Sequence, residues 1–146
     1  MKTVTKILSV LCLALLLLAV SACEKGGIPK TQSEETAKDF LLAFMEKRGE
    51  DAALLMHPSR ASTGEDLNKY NAHILKEYGV DPSKSPSILK ESSYTAEKNR
   101  EGYGGAYTAW TFSVSADGKT FSATVEIVLN DDGYGVYNFH FDFAGI

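Results

Sequence analysis

The chain has 146 residues and a formal net charge of −4, enough length for one domain built around one core. The acidic balance makes the domain a poor candidate for binding nucleic acid or anionic membrane surfaces by charge. Its two cysteines, Cys12 and Cys23, both lie in the first 23 residues, so the rest of the chain folds without a disulfide and holds no cysteine metal site.

Met1 to Lys6 carries two lysines and no acid. Ile7 to Val20 is apolar apart from Ser9, about as long as a signal-peptide core and short of the roughly 20 residues of a membrane span. Small residues, Ser21 and Ala22, follow. A basic end, an apolar core and small residues in that order predict a secretory signal over residues 1–22.

Val20-Ser21-Ala22-Cys23 resembles the lipobox of bacterial lipoproteins, a branched apolar residue and two small residues ahead of the family's cysteine. Val stands where Leu is commoner. The resemblance implies cleavage before Cys23, a diacylglyceryl thioether on its sulfur, and usually an acylated amine. Each buried methylene contributes about 0.8 kcal/mol, so two or three chains hold a protein on a membrane. The implied address is the bacterial cell envelope. Glu24 is not the aspartate that usually retains lipoproteins at the inner membrane, which favours the outer membrane of a Gram-negative cell. Cleavage leaves 124 residues, and loss of Lys2 and Lys6 moves the formal charge to −6. Residues 23–30 then read as the lipidated cysteine and a tether, with Gly26-Gly27 and Pro29 discouraging regular structure, and residues 31–146 as one domain.

Within that domain, Thr31 to Glu34 has capping-box form. Ala37, Phe40, Leu41, Phe44 and Met45 recur at helical spacing, which predicts a helix over 32–48 with Gly49 as its C-cap. Ala52 to Met56 reads as a short second helix, ended by Pro58. Thr63 caps a third, whose apolar face carries Leu67, Tyr70, Asn71, Ile74, Leu75 and Tyr78, and Gly79 closes it. From Ile88 the period becomes two, predicting strands over 88–97, 105–116, 119–130 and 134–143. Helices followed by an antiparallel four-strand meander make an α+β fold.

Register decides what faces the core. Asp117-Gly118 signals a two-residue hairpin, which pairs Val114 with Phe121, Phe112 with Ala123 and Trp110 with Val125. At Asn130 to Gly133 a three-residue loop pairs Val125 with Phe139 and Ala123 with Phe141, and so turns Tyr137, Phe139, Phe141 and Phe143 inward. A two-residue loop turns Asn138, His140 and Asp142 inward instead. Burial contributes about 1.5–3 kcal/mol for each large apolar side chain, so the three-residue loop is the expected one.

The amphipathic 31–48 segment, Gly49-Glu50-Asp51-Ala52-Ala53-Leu54-Leu55, and Asp132-Gly133-Tyr134-Gly135-Val136-Tyr137 together resemble the nuclear transport factor 2-like, cystatin-like superfamily, and within it small bacterial lipoproteins. The resemblance implies a curved sheet and a conical cavity beneath the helices. The superfamily includes isomerases, dehydratases and binding modules, and a fold does not imply a function.

The enzyme members of that superfamily place an Asp, His or Tyr in the cavity. The inner faces expected here offer Thr108, Trp110, Tyr137 and Tyr70, with no carboxylate or imidazole. Phe40, Phe44, Tyr70, Trp110, Phe112, Tyr137 and Phe139 would line an apolar pocket or simply fill the core. His57 is expected in a loop and His73 on the polar side of the third helix. Gly102-Tyr103-Gly104-Gly105 precedes no helix and so is no phosphate loop; it is expected to be a flexible turn or a recognition loop with Tyr103 and Tyr107 exposed. The sequence therefore predicts a membrane-anchored, non-catalytic binding or interaction domain, without cofactor or metal, whose partner is a small apolar ligand or an envelope protein. The alternatives are a small cavity enzyme using His140 and Asp142, and a purely structural envelope lipoprotein.

Overall fold

The computed structural model describes residues 27–146. The expected signal segment, the lipobox resemblance and the expected lipid attachment at Cys23 lie outside the described residues. Helix α1 spans Lys30–Met45, α2 Gly49–Leu54 and α3 Gly64–Tyr78, with a short 3-10 turn at Pro58–Arg60. Strands β1 (Ser87–Arg100), β2 (Gly105–Ala116), β3 (Lys119–Asn130) and β4 (Gly133–Asp142) follow. They form one antiparallel sheet in the order β1-β2-β3-β4. The fold is thus α+β, with a helical layer on one face of a meander.

The first helix departs from expectation at both ends. Pro29 precedes it as N-cap with no side-chain cap bond, and its carbonyl accepts Ser33 N–H at 3.1 Å. Thr31 is therefore inside the helix. Pro supplies a fixed φ and needs no hydrogen-bond partner for its nitrogen, which suits a helix entrance. Ile28, assigned to the tether, is packed into the core. At the other end the helix stops at Met45. Lys47 takes the left-handed conformation (φ 59), while Lys47 N–H donates to Phe44 O and Arg48 N–H to Ala43 O. This is a Schellman motif with lysine at the left-handed position. Gly49 serves a different need: a Cβ there would stand 2.2 Å from the carbonyl oxygen of Gly64, so it lets the N-termini of α2 and α3 approach.

The second helix is shifted too. It begins at Gly49 and ends at Leu54. Met56 lies beyond it in extended chain, as a parallel bridge partner of Val136, with Val136 N–H on Leu55 O and His57 N–H on Val136 O, both 2.8 Å. Gly135 permits this contact, because a Cβ on it would stand 2.6 Å from His57 N. The third helix matches its end signals, while of its expected apolar face Leu67, Asn71 and Ile74 are buried and Tyr70, Leu75 and Tyr78 are exposed. Thr63 Oγ1 accepts Asp66 N–H, and Gly79 closes the helix at φ 66. Buried Asn71 donates its amide to Phe44 O, which also accepts Lys47 N–H, and to Met45 O, adding a side-chain donor to the carbonyl end of α1.

The hairpins fix the interior. Ala116 pairs with Lys119 across Asp117-Gly118, and Val114, Phe112 and Trp110 face Phe121, Ala123 and Val125. Both turn residues have positive φ (52 and 71), the two-residue geometry that matches strand twist. The β3–β4 register is the expected one for Val125 with Phe139 and Ala123 with Phe141, but a different device sets it. Asn130 pairs directly with Gly133 across a two-residue loop, and the register shifts by one between Glu126 and Ile127. Tyr137 is the extra residue of a β-bulge. Phe139, Phe141 and Phe143 pack against the core, whereas Tyr137 is outside it.

Trp110 sits fully buried at the centre. Its ring lies parallel to Phe112 at 5.8 Å and tilts against Tyr94 at 4.2 Å. Its indole N–H donates to Ser33 Oγ at 3.0 Å, and Ser33 Oγ donates on to Lys30 O. Trp110→Ala is expected to lower unfolding free energy by about 3–5 kcal/mol, from lost transfer energy plus the cavity left behind. Chemical denaturation checks this, and a loss below about 1 kcal/mol contradicts the packing described.

Candidate functional site: a tyrosine and arginine cluster at one end of the sheet

The seven aromatic residues expected to line a pocket separate into three groups. Phe40 and Phe44 of α1 and Trp110 and Phe112 of β2 are fully buried. Phe139 fits between the first two, 4.8 Å from Phe40 and 5.2 Å from Phe44. Tyr70 closes the same stack from α3, 5.6 Å from both Phe44 and Phe139, and is 36% exposed. These rings fill the space between the helices and the sheet with one another. Of the two cavities described, each about 370 Å³, one lies between α1 and the start of β1 and the other beside Lys98, Leu129 and Asp131. None of the seven aromatics lines either. Tyr137 belongs elsewhere, because the bulge carries it to the opposite face.

There it joins a cluster that sequence patterning missed. Tyr103, in the turn after β1, packs at a tilt against both Tyr107 and Tyr137, with ring centroids 5.1 Å apart in each pair. The Arg100 guanidinium lies 4.0 Å over the Tyr107 ring, and that of Arg60 4.5 Å over Tyr137, both within cation–π range. Tyr107, expected to be exposed, is only 4% exposed. Its hydroxyl donates to the Glu126 carboxylate from the neighbouring strand. The Gly-rich turn is held in place, because Asn130 Nδ2 donates to Tyr103 O at 2.9 Å. The sequence predicts an exposed Tyr107 beside the Gly-rich turn and offers no reason for its burial. The cover comes from the Arg100 guanidinium at the end of β1 and from the Tyr103 ring in the turn that follows.

His57 is the polar centre of this end, fully buried rather than in an open loop. Its Nδ1 accepts both the backbone N–H (3.1 Å) and the hydroxyl (2.7 Å) of Ser59. A nitrogen that accepts an N–H carries no proton, so Nε2 holds the proton and donates to Asn130 Oδ1 (3.0 Å) and Gly133 O (3.1 Å). Asn130 Oδ1 also accepts Asp132 N–H. One imidazole and one amide thus tie the 3-10 turn, the β1–β2 turn and the β3–β4 turn together. A hydroxyl, an imidazole and an amide in sequence suggest a nucleophile and base. The Ser59 backbone N–H on Nδ1 argues for a structural tie, since that nitrogen cannot take a proton without breaking the cap.

Asn138, His140 and Asp142 alternate along β4 and are all exposed. The Val125–Phe139 pairing directs them away from the core. His73 is exposed on α3, beside Tyr70. Among the described residues no three His, Cys, Asp or Glu side chains are placed to share a metal ion. No helix among them is long and apolar enough to cross a membrane. No protein-family model matches the chain, and no curated protein matches it.

The cluster carries a pH signature. Burial, and then the hydrogen bond to the Glu126 carboxylate, push the Tyr107 phenol well above its ordinary value near 10. A group whose native-state pKa is raised contributes stability that is complete below its unfolded pKa and is lost as pH rises through the native value. Stability is therefore expected to fall as pH rises above about 10, where the unfolded chain has released a proton that native Tyr107 still holds. Burial raises Tyr70 and Tyr94 as well, so the diagnostic quantity is the difference between the protein and Tyr107→Phe. Denaturation across the alkaline range should show a shallower fall in the variant. Equal slopes would mean that Tyr107 ionises freely.

Proposed function

We propose that this chain is a lipid-anchored lipoprotein of the bacterial cell envelope, carried by acyl chains on Cys23, whose domain acts by contact at its surface. In a Gram-negative cell its place is the outer membrane. The reading is of a non-catalytic interaction domain with an envelope protein as partner, and the order of helices and meander strands supports the resemblance to the nuclear transport factor 2-like, cystatin-like superfamily. The observation that carries it is the packing of Phe139 against Phe40, Phe44 and Tyr70. The interior that would hold an apolar ligand is occupied by the protein's own rings, which favours a surface role over an internal one. The exposed setting of His140 and Asp142 likewise weighs against the cavity-enzyme reading.

Native mass spectrometry of the full-length protein, extracted gently from its own envelope, tests both parts. The expected mass is that of the chain from Cys23 with its acyl groups and nothing more, and Cys23→Ala is expected to lose the acyl mass and membrane association together. Additional mass that leaves on denaturation would contradict the surface reading. A chain without acyl groups would contradict the anchor.

A further inference from the structure

The end of the sheet that carries the tyrosine and arginine cluster is also the end at which the chain enters the fold. Ile28 is packed into the core, and a Cβ on Gly27 would stand 3.8 Å from Lys98 Cγ near the end of β1. Lys30 reaches over Tyr94 at 4.9 Å. Cys23 precedes Gly27 by four residues, a segment that spans at most about 14 Å. The tip of the β1–β2 turn, Gly102, is likewise four residues from Lys98. The Asp117-Gly118 hairpin is separated from that end by the twelve residues of β2, roughly 40 Å at about 3.3 Å per residue.

Resting on the lipid anchor proposed above, we infer that the domain stands end-on to its membrane. The turns at 101–104 and 131–132 face the bilayer, and the 117–118 hairpin points away from it. The occupant of the near end is the phospholipid headgroup layer. Its chemistry suits the residues present: Tyr103 and Tyr137, both half-buried, have an apolar ring and a polar tip, and Arg60 has no carboxylate partner among the described residues, leaving its donors for phosphate oxygens. Glu101, Asp131 and Asp132 share this end, so net charge does not hold it there. The short tether does, because a span of about 14 Å cannot lift this end clear of the headgroups by more than that.

The test uses the full, lipidated protein in phosphatidylethanolamine–phosphatidylglycerol vesicles that carry a quencher on their headgroups. Glu101→Cys and Lys119→Cys place an environment-sensitive dye at the near and far ends, with Cys23 blocked by its lipid and Cys12 removed with the signal. Quenching is expected to be several-fold stronger at 101 than at 119. Equal quenching, or stronger quenching at 119, on protein that floats with the vesicles would overturn the orientation and leave the anchor standing. Protein that fails to float would remove the anchor and the orientation with it. Asp132→Cys, on the neighbouring turn, gives the near-end reading independently if Glu101→Cys folds poorly.

Discussion

One inserted residue governs this molecule. Without the bulge at Tyr137, the two-residue turn at Asp131-Asp132 would set Phe139, Phe141 and Phe143 on the solvent face and bring Asn138, His140 and Asp142 inside. The single-residue shift between Glu126 and Ile127 reverses that outcome. It also leaves Gly135 and Val136 on the near side of the shift, where Leu55 to His57 pair with the strand. The bulge thus gives one strand two tasks. Its first half receives the chain leaving α2, and its second half closes the core. Bulges that re-aim side chains in this way are designed features of sheets rather than defects.

Much of this was legible in the sequence, for reasons that differ by element. The Asp117-Gly118 turn and its register were legible because a two-residue loop with glycine admits few geometries. The α3 boundaries were legible because Thr63 and Gly79 act locally. The ends of α1 were not, because two locally correct signals were overruled. Thr31 looks like a cap, but Pro29 starts the helix earlier, and Gly49 looks like a terminator, but tertiary contact with Gly64 claims it. The register of β4 was predicted correctly from burial of Phe139 and Phe141, while the loop assigned to achieve it was wrong. Tyr137 was misplaced for that reason, since hydropathy constrains the face a strand buries but not the position of a bulge.

The candidate site was less legible than the fold. Phe40, Phe44, Trp110 and Phe112 were recognised as interior residues, with pocket lining and core packing as alternatives, and ring-to-ring contacts with Phe139 favour packing. The cluster around Tyr103 and Tyr107 depends on a turn folding back over the outer face of the sheet, which strand periodicity does not encode. His57 and Asn130 are 73 residues apart and meet only because Gly135 admits the backbone of Leu55 to His57. The one available signal was the glycine pair at 133 and 135 flanking Tyr134, a pattern that marks close backbone approach in a strand.

The account turns on where the β4 side chains point. Nuclear Overhauser contacts in solution, measured on the chain from Glu24 onward, report this directly. The account predicts cross-strand contacts between Val125 and Phe139 and between Ile127 and Val136, with the Phe139 ring in contact with the rings of Phe40 and Phe44. Contact of His140 with Phe40 or Phe44, or a Phe139 ring that meets only solvent, would contradict it.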